Sequence, residues 1–500
     1  MPTKDLPDHP DIDSFRRQAR ALQRDARASE PDAIARVVRH MKDAAPDGLK
    51  LTAAQFVVAR EYGFASWPRL VRYLETVAEH GFDSRLGAAP ADDPADELCR
   101  LACLTYTGDD GPERWERARR LLADRPDLTA TSIWAAAAAA RPGDVRRLLD
   151  ERPALATERG GPFGWRPLLY LTYSRLEPAL GAESVARLLL NAGADPNDGY
   201  LWNSLPSPFT ALTGVFGHGE QGPRRQPTHP RWRELARLLL DAGADPNDAQ
   251  TLYNRMFESD DSHLELLFEY GLGTGDGGPW RRRIPDLDPP DRMLRVQLRW
   301  AVEHRQAARV RLLAANGVDV GAPFEGTGPA WSPGDGQTPA ELAELNGDPN
   351  LAALLVEHGA APPAPDPVRE LIAAAFRADR STVDGIRAAH PDAVERARKA
   401  RPGLMVWAAA RASADTAALL ADLGFDVNAY GRGDAPVEQG WETALHHAAG
   451  NGDVDLVRRL LELGADPQLR DGRFQATPLD WARHLHQPST AAILEPLTRE

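Results

Sequence analysis

Leu188-Leu189-Leu190-Asn191-Ala192-Gly193-Ala194-Asp195-Pro196-Asn197 reads as the end of a helix. Three leucines supply an apolar face, Gly193 can take the left-handed turn that stops a helix, and Pro196 blocks its continuation. The ending returns almost letter for letter at Leu238–Asn247. Looser copies stand at Gly317-Val318-Asp319, Gly359-Ala360-Ala361, Gly424-Phe425-Asp426-Val427-Asn428 and Gly464-Ala465-Asp466-Pro467. Recurrence at this scale predicts stacked helical units, each able to bury its apolar face only against a neighbour.

From about residue 96 each unit reads as a short helix, a turn, a second helix ending in Leu-Leu, and a stop. The stops fall at Arg125, Arg152, Gly193, Gly243, Gly271, Gly317, Gly359, His390, Gly424 and Gly464, between 27 and 50 residues apart. Two chemistries serve the same end. Glycine accepts the left-handed conformation, whereas Arg125-Pro126, Arg152-Pro153 and His390-Pro391 rely on proline forcing the preceding residue out of the helical region.

The unit at 441–467 is the clearest, running Trp-Glu-Thr-Ala-Leu-His-His-Ala-Ala-Gly-Asn-Gly-Asp-Val-Asp-Leu-Val-Arg-Arg-Leu-Leu-Glu-Leu-Gly-Ala-Asp-Pro. It resembles the ankyrin repeat through Thr443, Leu445, His446, Ala448, Ala449, Gly452, Leu460, Leu461, Gly464, Ala465 and Asp466. Partial matches occur at Thr210-Ala211-Leu212, Thr338-Pro339-Ala340 and Thr477-Pro478-Leu479. The resemblance extends over roughly 400 residues, although most units lack the Thr-Pro-Leu-His box and several are too long. It implies an all-α, ankyrin-type solenoid of about ten degenerate repeats with inter-repeat finger loops, and a hydrogen-bonding structural role for His446 beside Thr443.

Composition narrows the function. The 59 basic and 73 acidic residues give a net charge of −14, which argues against general binding to nucleic acid or anionic membrane. All the basic residues except Lys4, Lys42, Lys50 and Lys399 are arginine; with abundant Ala, Gly, Pro and Asp, this points to a high-GC bacterial genome. No apolar run approaches membrane-spanning length and no secretory h-region opens the chain, so a cytoplasmic location is expected. Cys99 and Cys103 are the only cysteines. Four apart on a predicted helix, they read as small core residues with no disulfide partner and no zinc site.

Ahead of the repeats, residues 10–82 predict a small helical domain. Ile12, Phe15, Ala19, Leu22 and Ala26 recur at helical spacing, with further helices over Ala53–Tyr62 and Trp67–Val77. Residues 83–95 read as a linker. Repeats then fill 96–361, a Pro-rich stretch at 362–367 marks a break, and 368–500 forms a second block closed by a C-terminal cap. The helical segment is similar to those preceding repeats in bacterial ankyrin proteins.

No phosphate-binding glycine loop, nucleophile elbow or His-Glu-x-x-His motif is present, so catalysis is not expected, nor is any cofactor or metal. His484 and His486 are two apart on a predicted helix and point to different sides. Asp286, Asp288 and Asp291 form a small acidic cluster without the ordered glycine and bidentate glutamate of a calcium loop.

Function is sought instead in the long loops, about 198–210, 217–231, 272–291, 320–336 and 428–441. Trp165, Trp202, Phe209, Trp280, Trp331 and Trp441 are the candidate partner-binding residues, on the expectation that loop aromatics serve as contact anchors for an unidentified protein or peptide. The opposing reading packs each Trp back onto its own loop. Two alternatives to a non-catalytic recognition scaffold remain. One is a DNA-associated regulator using the helix-turn-helix-like segment 51–78, disfavoured because residues 1–80 carry 13 basic against 12 acidic side chains. The other is a small-molecule binder or enzyme with a pocket walled by the inserted loops.

Overall fold

The computed structural model describes residues 4, 6–7, 10–41, 46–325, 336–411, 413–433 and 440–498. Helix accounts for 59% and strand for 3%, so the all-α expectation holds apart from one small sheet. The chain forms two compact units, Met1–Met293 and Leu294–Glu500.

The glycine stops behave as their chemistry demands. Gly193, Gly243, Gly271, Gly317, Gly359, Gly424 and Gly464 all have φ between +80° and +101°. After each, the next amide returns to the carbonyl five residues back, as in Ala194 N–H to Leu189 O and Ala465 N–H to Leu460 O at 3.0 and 2.9 Å. The accepting residue is a leucine every time, and Leu189, Leu239, Leu267, Leu313, Leu355, Leu420 and Leu460 are all fully buried. One turn thus ends the helix and seats its last core side chain. At Arg125, Arg152 and His390 the backbone is instead extended ahead of proline, with φ of −131°, −148° and −135°.

The asparagine closing the repeated ending links one unit to the next. Asn197 Oδ1 accepts from Asp245 N at 2.9 Å while its Nδ2 donates to Gly243 O at 2.9 Å. Asn428 does the same across Asp466 and Gly464. Asn247 bonds Gly273 N and Thr274 O in the following turn.

In the first unit, one row of helices runs through Pro94–Ala102, Ile133–Ala138, Pro167–Tyr173, Ala211–Phe216 and Ala249–Met256, each packed on the last. A second row runs through Pro142–Glu151, Ala182–Asn191 and Trp232–Asp241. Alanine at positions 135 to 138, all buried, lets the first row approach closely. The second unit repeats the scheme with Leu404–Arg411, Ala444–Gly450 and Pro478–His484 beside Ala414–Asp422, Val454–Glu462 and Pro488–Leu494. The break expected at 362–367 does not interrupt the packing. Helix Pro339–Leu345 contacts Pro367–Phe376, and Arg369 bonds both Ala364 O and Glu344 Oε2 across the Pro-rich segment.

The N-terminal helices are α1 (Ile12–Arg27), α2 (Pro31–His40), α3 (Leu51–Glu61) and α4 (Trp67–His80). Phe15, Ala19, Leu22 and Ala26 form the buried stripe of α1, as their spacing predicts. The expected linker departs from its reading. Strand β1 (Gly81–Phe82) pairs parallel with β2 (Gly199–Trp202), which pairs antiparallel with β3 (Pro208–Thr210). Ser84 and Asn203 exchange two hydrogen bonds of 2.9 and 3.0 Å, and Arg100 donates to Gly87 O. The polar Pro/Gly composition at 83–95 resembles a free tether, but Ser84 is held by Asn203 and Gly87 by Arg100. The helical domain also shares one core with the repeat loops, in which Leu201, Trp280 and Ile284 join Phe15, Leu70 and Tyr73.

Candidate functional site: loop aromatics and finger turns

The inserted loops of the first unit are ordered around aromatic rings. Trp165 stacks on Tyr200 with centroids 4.7 Å apart and planes 13° from parallel, and Tyr200 stacks on Phe209 at 5.5 Å. Phe82, delivered by β1, meets Tyr200 edge-on at 5.0 Å. Trp165 and Phe209 are 1% and 5% exposed, so they form an internal core beneath the sheet and offer no contact area to a partner.

Trp280 is likewise buried, at 6% exposure. Its Nε1 donates to Asn197 O at 2.9 Å, and its ring packs against the N-terminal core. Trp202 is half-buried and donates to Thr105 O at 2.9 Å. Phe324 is buried with the Arg295 guanidinium 4.7 Å from its centroid, and Trp331 lies outside the described residues. Trp165, Phe209 and Trp280 are buried against other segments of the chain, because removing a large aromatic ring from water is worth more than displaying it.

Trp441 differs. It is half-buried at the base of one finger, where the Arg432 and Arg473 guanidiniums lie over its ring at 4.3 and 5.1 Å. Arg473 comes from the next finger turn, 471–476, and also lies 5.2 Å from the Phe474 ring. That turn is held by Asp471, fully buried, which accepts from the amides of Arg473, Phe474 and Ala476 and from Trp481 Nε1. Burial opposes ionisation of Asp471, but these donors outweigh it and hold the carboxyl below its ordinary pKa. The turn presents Phe474 to solvent at 63% exposure. Tyr430 Oη bonds Arg470 O at 2.9 Å and joins the two fingers. Sequence pattern indicated Trp441 but missed Arg473 and Phe474, whose signal was a short Asp-Gly turn and not a long insertion.

His446 occupies a structural position. Its Nδ1 accepts from Thr443, with N–H at 3.2 Å and the hydroxyl at 2.8 Å, and Nε2 donates to Ala476 O at 3.0 Å. Burial holds the imidazole below its ordinary pKa, and the neutral form fits both contacts.

Other candidates resolve as follows. Cys99 and Cys103 are free and buried, and burial raises both thiols above their ordinary range. Asp286 pairs with Arg69 at 2.6 Å and Asp288 with Arg292 at 3.0 Å. Among the described residues no group of three or more His, Cys, Asp or Glu side chains is placed to hold a metal, and no helix is long and apolar enough to cross a membrane. In the helix-turn-helix-like segment, α4 buries Leu70, Tyr73, Leu74, Val77 and His80, and Tyr73 Oη bonds Ser204 O. Its exposed face carries Arg69 and Arg72 against Glu75 and Glu79, a balanced surface unlike that of a groove-reading helix. The cavity bordered by Trp280 and Asp248 holds about 20 Å³, room for a single water. A larger cleft of about 480 Å³, bordered by Val77, Phe82, Leu86 and Asn203, is open and has no Trp in its walls.

Residues 432–482 match the family described as ankyrin repeats (many copies). This supports an ankyrin-repeat protein, and the matched segment contains the finger turns around Trp441 and Phe474. No curated protein sequence matches the chain.

Proposed function

We propose that this chain is a non-catalytic scaffold that recognises a protein or peptide through the edge formed by its finger turns. Ankyrin repeats are generally protein–protein interaction modules, and the match at 432–482, over the chain's clearest repeat, supports this reading. The observation that carries the reading is the pairing of Phe474, exposed on a turn fixed by Asp471, with the arginine-covered ring of Trp441. Rigid aromatic side chains and arginine are the residue types that dominate binding energy at interfaces. A preformed turn also loses little conformational freedom when it is covered. Trp441 and Trp202 keep a share of surface and remain candidate contacts.

Peptide-display selection with the full chain, followed by titration of enriched peptides against wild type, Phe474→Ser and Arg473→Ala, tests this. The variants should bind at least about tenfold more weakly, the scale of an interface anchor. Peptides that bind wild type and both variants equally would place recognition elsewhere.

A further inference from the structure

His80, at the end of α4, is 2% exposed and sits where the loop 158–166, the start of β2 and the short helix Gly278–Arg283 meet. Two guanidiniums converge on its ring. Arg159 Nη2 lies 3.3 Å from Nδ1 and Arg283 Nη1 lies 3.2 Å from Nε2. Each nitrogen also faces an acceptor, with Gly199 O 3.3 Å from Nδ1 and Glu79 Oε1 3.3 Å from Nε2.

A neutral imidazole has one N–H and one lone pair, so it cannot serve all four neighbours. If Nδ1 carries the proton and donates to Gly199 O, Nε2 accepts from Arg283 and Arg159 faces a donor. If Nε2 donates to Glu79, Nδ1 accepts from Arg159 and Arg283 faces a donor. A protonated ring accepts from neither. In every state at least one guanidinium points at the ring without an acceptor there.

Arg159 and Arg283 make no carboxylate ion pair among the described residues, although the chain is acidic overall. Arg159 has one further weak bond, to Gly164 O at 3.4 Å, and Arg283 lies over Trp280 at 5.5 Å. Their neighbours are already paired, Arg166 with Asp198 at 2.7 Å and Arg282 with Asp276 at 2.8 Å. Arg159 and Arg283 are exposed residues, whereas the His80 ring is 2% exposed, so the parts of the two guanidiniums away from the ring supply the accessible surface.

We propose that Arg159 and Arg283 form an oxyanion-binding site across His80, taking a phosphoryl or carboxylate group. Planar guanidiniums bind such groups with strong charge-assisted hydrogen bonds, and an anion here would accept from the guanidinium N–H groups that the ring does not engage. The site lies in the first unit and is independent of the finger-turn reading.

Calorimetric titration of the full chain at low ionic strength, with inorganic phosphate in one arm and acetate in the other, tests the site. Saturable binding is expected, weakened at least about tenfold in Arg159→Gln and in Arg283→Gln and unchanged in the adjacent Arg282→Gln. Preference for phosphate assigns a phosphoryl ligand; equal or tighter acetate binding assigns a carboxylate. A second readout is the His80 titration by NMR. Burial and the two arginines hold its pKa low against the opposing pull of Glu79. A bound anion should raise it, with Arg166 and Asp198 as the remaining nearby charges. Absence of saturable binding by either anion, binding undiminished in both variants, or a His80 titration indifferent to the anion would overturn the site.

Discussion

Asn197 grips the turn of the following repeat through Asp245, accepting the Asp245 amide at 2.9 Å while donating to Gly243 O at 2.9 Å. Both bonds cross from one helix ending to the next, so the last letter of the repeated ending helps set the spacing of the stack. Asn197→Ala removes a donor and an acceptor at once and should cost about 1–3 kcal/mol, measured by urea denaturation. Asn197→Asp keeps the acceptor but loses the donor to Gly243 O and should also destabilise. An alanine variant as stable as wild type would mean that the clamp contributes nothing beyond what water supplies.

Trp280 was expected to face a partner, and instead it closes the N-terminal core. Trp280→Ala should destabilise the first unit by about 3–5 kcal/mol, as large buried aromatics do. Limited proteolysis should then cut within 83–95, where wild type resists because Ser84, Gly87 and their partners are bonded together. A variant with unchanged stability and an unchanged cleavage pattern would contradict this.

Two glycines separate backbone strain from lack of space. At Gly464, φ is +94° and an added Cβ meets nothing within 4 Å. Gly464→Ala should therefore cost only about 1 kcal/mol, the penalty of the left-handed conformation. At Gly214 an added Cβ would lie 2.4 Å from the Tyr173 ring, itself fully buried and bonded to Thr210 O. Gly214→Ala should be the more damaging of the two, at about 1–3 kcal/mol or more from overpacking. Comparing their thermal midpoints checks the order.

The His446 imidazole has its pKa lowered by burial, so the unfolded chain binds the proton more readily than the folded one. Stability from this group is therefore full above the unfolded value of about 6.5 and falls as pH drops from there toward the folded value. Urea midpoints at pH 7.5 and 5.5 should show a smaller acid loss in His446→Gln than in wild type. Equal losses in both would exclude His446 as a source.

The helix endings were legible because their signals are local. A glycine stop, a leucine five residues before the turn's closing amide and a Thr-His pair act within one unit, so residue identity alone reports them. Trp165, Phe209 and Trp280 were read as surface anchors because loop length says nothing about where a side chain points. Their fate was set by distant groups, such as His80 against Trp280 and Tyr106 against Phe209, each pair more than a hundred residues apart.

By itself, the sequence determined the helix endings and the two stop chemistries, which depend on backbone preferences and short-range hydrogen bonds, while the structural role of His446 was implied by the family resemblance. Only the tertiary structure decided that 81–82 enters a sheet with 199–202, that the N-terminal helices share a core with Trp280, and that Arg473 lies between the rings of Phe474 and Trp441. Those relationships arise when distant segments bury apolar area together, and no local pattern encodes which distant segment supplies the other surface. The helix endings that define the repeats are therefore written locally, while the placement of the rings and arginines between them is written in the packing.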